Sequence, residues 1–195
     1  MQPVQHSGDS LVERLRGAVR FEDPAAAPES TRRASVLLLF DQATEQLPLL
    51  FILRSADLRA HAGQIAFPGG AEEPGDADIV ATALREAHEE VGLQPDNVEV
   101  LGVLPPFLTA VSRLWLTPVV GLQRAPWTVV PDRTEVAESF RIDLATLLVA
   151  PHTVRDIPRA GKSRDVHFYE VGSRVIWGVS AVILHELLTR LGRED

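Results

Sequence analysis

The sequence predicts a single mixed α/β domain, and three observations carry that expectation. The chain has 195 residues, 45% of them hydrophobic and 24% charged, which suffices for one core of ordinary size. Short apolar runs stand on both sides of one long helical stretch, "DADIVATALREAHEEVG". No repeat, low-complexity tract or linker separates them, so strands before and after the helix belong to one body.

Taken in order, residues 9–21 space Leu11, Val12, Leu15 and Val19 for a short amphipathic helix. A Pro/Ala-rich link, "EDPAAAPESTRR", reads as a loop, so residues 1–30 form a helix and linker ahead of a domain spanning 31–195. "ASVLLLF" and "LPLLFIL" read as buried strands joined by the polar turn "DQATEQ". "QIAFPGG" is a short strand ending in a glycine turn, and the long helix follows. "NVEVLGVLP", "LWLTPVVGL" and "EVAESFRI" read as strands, and "DLATLLVA" as a short helix. "VHFYEV" and "RVIWG" form a hairpin, and "VSAVILHELLTRLG" is a closing amphipathic helix.

Composition excludes several classes of function. Net charge is −8, which disfavours nucleic acid and anionic membranes as partners. No apolar run is long enough to span a bilayer, and the first residues lack a secretory pattern. With no cysteine there are no disulfides, thiolate nucleophiles or cysteine-held zinc. These features point to a cytoplasmic protein, and leave monomer and homodimer both open.

The long helix holds the chemistry. Glu86, Glu89 and Glu90 share one arc of about 100° on its wheel, and Val80, Leu84, Ala87 and Val91 form an apolar stripe beside it. Asp76 or Asp78 suits its N-cap, and Gly92 its C′ position. A solvated acidic face is the ordinary meaning of such a cluster. Here, however, Glu86 and Glu90 repel each other at i, i+4, and all three lie near the helix C-terminus, where the macrodipole disfavours carboxylates. A divalent cation such as Mg²⁺ or Mn²⁺ reverses both penalties, because hard oxygen ligands suit those ions.

"GGAEEPGDADIVATALREAHEEVGL" resembles the Nudix box. Arg85, Glu86, Glu89, Glu90, Gly92 and Leu93 fall on its R-E-U-x-E-E-x-G-U half, where U is aliphatic, with Ala87 as a small residue at the first U. The first half departs: Asp76 stands where the box has Glu, with one residue more before Arg85. Upstream, "LFILRSADLRAHAGQIAFPGG" resembles the motif of coenzyme A pyrophosphatases within that superfamily, through Leu50, Arg54, Ser55, Arg59, Gly63, Phe67, Pro68, Gly69 and Gly70. "VIWGVSAVIL" is similar to a C-terminal segment of the same family, with Ser180 in place of Thr.

The resemblance implies an α/β/α sandwich around a mixed sheet, with the box as a loop–helix–loop. It also implies hydrolysis of a phosphoanhydride, with Glu86, Glu89 and Glu90 holding Mg²⁺ or Mn²⁺ and Arg85 orienting them. Arg54 and Arg59 suit phosphate because a guanidinium binds it bidentately, and His61 and Gln64 lie close by as substrate contacts. Gly69 and Gly70 let the backbone approach phosphate or metal. For a general base, "TEVAESF" offers Glu135 and Glu138; on an extended strand they point to opposite faces, so at most one serves. His88, His152, His167 and His185 show no ligand-like spacing and read as structural. Coenzyme A is the substrate the upstream motif favours; another nucleotide, or nucleotide binding without cleavage, are the alternatives.

Overall fold

Strand β1 (Arg32–Asp41) is the spine of the molecule, and its alternating side chains create two cores. The computed structural model describes residues 10–19, 26–58, 61–158 and 163–193. The other strands of the main sheet are β2 (Leu49–Arg54), β3 (Ile65–Ala66), β4 (Gly69–Ala71), β5 (Val98–Val103), β6 (Phe107–Leu108), β7 (Leu114–Gln123) and β8 (Val136–Ile142). β1 runs parallel to β7 from Arg32↔Leu114 to Asp41↔Gln123, while all the other pairings are antiparallel, so the sheet is mixed. A second, three-stranded sheet is built from β9 (His152–Asp156), β10 (Asp165–Val171) and β11 (Arg174–Trp177).

Period-two alternation divides the apolar runs between the two faces. Leu37, Leu39, Leu50 and Ile52 pack with Ala83, Ala87 and Val91 of helix α2 (Ile79–Val91). Leu38, Phe40, Leu49 and Phe51 point the other way, into a core shared with helix α4 (Val179–Arg190) through Ile183, Leu184 and Leu187. Leu15 of helix α1 (Leu11–Ala18) joins that second core, as do Leu144 and Leu147 of helix α3 (Leu144–Val149). The sandwich expected from the sequence is the one observed. A capping box between Ser10 and Glu13 starts α1, satisfying backbone donors at its exposed end.

Three local features differ from expectation. Gly69 and Gly70 are not a free turn; they form β4, paired with Val36 and Ser35 of β1. β1 therefore meets β2 only at Phe40↔Leu49, because β4 occupies the edge nearer the start of β1. β6 and β9 are strands that the sequence reading passed over, since "FL" is too short and "HTVRD" too polar to carry a signal. Ser180, at the start of α4, donates to the carbonyl of Ile65 at 2.9 Å and so ties α4 to β3. Among the described residues no helix is long and apolar enough to cross a membrane.

Candidate active site

Helix α2 is secured at both ends before it presents any chemistry. Asp78 is its N-cap, accepting the Ala81 N–H at 2.8 Å, and Gly92 adopts a left-handed φ of 71° that closes its C-terminus. The buried positions are Ile79, Thr82, Ala83, Ala87, Glu90 and Val91, whereas Val80 and Leu84 are only partly covered. The buried face is thus rotated from the expected stripe toward Glu86 and Glu90. Small Ala83 and Thr82 allow this, since they let the helix sit close to the sheet and take the carboxylates inward with it.

Arg85 organises the acidic arc. Its Nε donates to Asp76 Oδ1 at 2.9 Å and its Nη2 to Asp76 Oδ2 at 3.1 Å and to the Ala71 carbonyl at 2.9 Å. Its Nη1 reaches Glu86 at 3.1 Å and Glu89 at 2.9 Å. This exceeds the simple i,i+4 pair, since one planar guanidinium joins the loop, the strand end and two glutamates. Asp76 also accepts from the Glu73 N–H and the Thr82 hydroxyl, both at 2.9 Å. The Arg85 guanidinium, with these donors, holds the Asp76 carboxyl well below its usual range. Of the two N-cap candidates Asp78 takes the cap, and Asp76 anchors the loop before α2 instead.

Glu90 is the deepest of the three glutamates, with 2% of its surface exposed. It accepts the Gly69 N–H at 2.9 Å and a donor from Arg54 Nη1 at 3.1 Å. Burial pushes its pKa up to about 7 against the opposing pull of Gly69 and Arg54, and the charges of Glu86 and Glu135 add to the rise. Glu86 is raised as well, chiefly by burial, with Arg85 opposing. Glu89 is more open, with 56% of its side chain exposed. Gly70 lies against the Glu86 carboxylate, where any Cβ would collide with it, and a Cβ on Gly69 would strike the β1 backbone at Ser35 and Val36. The two glycines are therefore required by close approach.

The remaining expected residues are distributed unevenly. Glu135 sits in the turn just before β8, held by its carbonyl to the Ser55 N–H at 2.8 Å, and its charge is felt by both Glu86 and Glu90. Glu138 is engaged elsewhere: Arg174 binds it through two nitrogens at 2.6 and 3.2 Å and holds its pKa below the ordinary value. His61 and Gln64 pair with each other at 3.0 Å in the loop after β2, with His61 at a φ of 56°. Arg59 lies outside the described residues. Arg54, expected to meet substrate phosphate, is directed onto Glu90.

A family model of the NUDIX domain matches residues 30–158. The chain belongs to the Nudix family. It is 41% identical over 169 residues to the uncharacterized Nudix hydrolase NudL of Pectobacterium atrosepticum, covering 86% of this chain and 88% of that one. It is 40% identical over 165 residues to the NudL of Photorhabdus laumondii, covering 84% and 87%. A MutT/nudix family protein from Enterococcus faecalis superposes with a TM-score of 0.53 at 16% identity, over 87% of this chain and 65% of that one, which speaks for the fold alone.

The protein is accordingly a Nudix hydrolase, and Nudix hydrolases in general use divalent metals. The donor set of this Nudix box fits such an ion. Glu86 and Glu90 stand beside the glycine pair, Glu89 is joined to Glu86 through Arg85, and Glu86 and Glu90 have raised pKa values that a cation would reverse.

Proposed function

We propose that this Nudix hydrolase cleaves the phosphoanhydride of coenzyme A or its derivatives, giving 4′-phosphopantetheine and 3′,5′-ADP, with Mg²⁺ or Mn²⁺ held by Glu86, Glu89 and Glu90. The observation that carries this reading is the physical union of the two motifs. Arg54 and Gly69, from the coenzyme A pyrophosphatase-like segment, both bond Glu90 of the Nudix box, and Gly70 packs on Glu86. A residue pattern tied to one substrate class thus contacts the glutamates to which this reading gives the metal.

The bound cation would neutralise charge on the diphosphate and lower the pKa of a water. The chain's own groups do the rest. Arg85 keeps Glu86 and Glu89 oriented, and the Gly69 N–H and Arg54 offset part of the burial that disfavours the Glu90 carboxylate. Glu135 takes the proton of the attacking water, because it lies within the electrostatic reach of Glu86 and Glu90 whereas Glu138 is committed to Arg174. Arg59, His61 and Gln64 contact the substrate from the loop after β2. The partner is a small nucleotide, and the compartment is the cytoplasm.

A second reading keeps the chemistry and changes the nucleotide. The Arg54–Glu90 pair favours it, since an arginine serving the metal-binding carboxylate suits any diphosphate substrate. A hydrolysis screen with Mg²⁺ or Mn²⁺ separates the two, comparing coenzyme A, dephospho-coenzyme A, ADP-ribose, NADH and nucleoside triphosphates. Preference for coenzyme A supports the first reading, and preference for another nucleotide replaces it with the second. Absence of metal-dependent turnover on every substrate overturns both.

A further inference from the structure

Three histidines that are remote in sequence converge between the small sheet and the closing helix. His152 begins β9, His167 lies in the middle of β10, and His185 is on α4. The pairing Tyr169↔His152 puts Tyr169 beside them, and period-two alternation places His167 on the same sheet face as Tyr169. One ring nitrogen from each histidine lies within 4.8 Å of the other two, and all three residues are half-buried. His152 Nε2 and His167 Nδ1 are 3.0 Å apart, and the Tyr169 hydroxyl is 3.1 Å from His185 Nδ1. The His152 ring stacks on both others, 4.7 Å from His185 and 5.1 Å from His167 between centroids, while the His167 and His185 rings are tilted by 51° at 4.9 Å. α4 packs on the sheet face opposite α2, so this cluster is separate from the Nudix carboxylates.

We propose that His152, His167 and His185 form a second metal site, selective for a borderline transition ion such as Zn²⁺, that fastens α4 to the small sheet. The chemistry of the donors sets the ion. Three imidazoles without carboxylate suit Zn²⁺, Ni²⁺ or Cu²⁺ and are poor ligands for the Mg²⁺ or Mn²⁺ expected at the box. The geometry is near what zinc requires. Zn–N bonds of about 2.0–2.1 Å place tetrahedral donors about 3.3 Å apart. The His152–His167 pair stands close to that spacing, at 3.0 Å, and bringing all three nitrogens to it takes a shift of at most about 1.5 Å together with a turn of the stacked rings that aims their in-plane lone pairs at the ion. Tyr169 completes the arrangement: its hydroxyl can accept the Nδ1–H of His185, the kind of outer contact that orients metal-bound histidines.

The test is a Zn²⁺ titration of the chelator-stripped full chain in excess Mg²⁺, which keeps the box carboxylates occupied. The ring nitrogens are followed by NMR, and bound zinc is counted after gel filtration. The expected result is one Zn²⁺ per chain, with the ring nitrogens of all three histidines shifted. His167→Asn and His185→Asn should each lose the retained zinc, and Tyr169→Phe should weaken it about tenfold. Mg²⁺-dependent hydrolysis by His185→Asn should stay at the wild-type level, which keeps the two sites distinguishable. If a histidine variant folds poorly, the NMR titration of the wild type decides alone. Unshifted ring nitrogens at saturating zinc, or equal zinc retention by the His variants, overturns the proposal.

Discussion

Replacing Glu90 with Gln should inactivate the protein and at the same time stabilise its metal-free form. Glu90 is 2% exposed, and its pKa rises from the ordinary 4.5 to about 7. A carboxyl that binds its proton more tightly when folded favours the fold at low pH, and that contribution is lost as pH rises through the folded value. The difference of about 2.5 units corresponds to about 3 kcal/mol. Gln mimics the protonated acid and can still accept the Gly69 N–H. Wild type and variant should therefore be equally stable near pH 4.5, diverge between about 4.5 and 7, and differ by about 3 kcal/mol above that, with the variant the more stable. Urea denaturation in EDTA across this range, followed by tryptophan fluorescence, measures the gap. Adding Mg²⁺ or Mn²⁺ should narrow or invert it, because only the wild type gains from the bound ion. A gap that does not change with pH, or one that favours the wild type at pH 8 without metal, would refute the reasoning.

Three further outcomes are expected. Arg85→Ala should cost about 2 kcal/mol in thermal or chemical denaturation, because it leaves Asp76 and two glutamates without their common donor; an unchanged midpoint would refute this. The Asp76 contribution to stability is present above its ordinary value and disappears as pH falls through the lowered one, so the variant should also show a shallower acid limb than the wild type. Gly70→Ala should keep the fold and lower kcat about a hundredfold by displacing the Glu86 carboxylate, whereas Gly69→Ala should destabilise by about 3 kcal/mol because its Cβ meets backbone; paired melting and kinetic assays separate the two. Glu135→Gln should lower kcat about a hundredfold or more, while Glu138→Gln leaves it near wild type; the reverse order would return the base to β8.

Much of the fold and the identity of the acidic helix are legible in the residue order, for a local reason. Apolar runs at period two, the Asp78 and Gly92 caps, and the spacing of Glu86, Glu89 and Glu90 act within one element, and patterns of that range survive in sequence. The mixed sheet with helices on both faces follows from them together with the resemblance. What only the tertiary structure decided involves partners far apart in the chain. The rotation of α2 that buries Glu90 depends on how small Ala83 and Thr82 let it settle on β1. The pairing of Glu138 with Arg174 joins it to a residue on another sheet. Gly69 and Gly70 read as a turn because nothing local reveals that β1 will accept them as a strand. The three histidines look unrelated because 15 and 18 residues separate them, and only the pairing of β9 with β10 beneath α4 brings their rings together. Burial and long-range pairing set the charge state and company of each side chain, and neither is a property of neighbours in sequence.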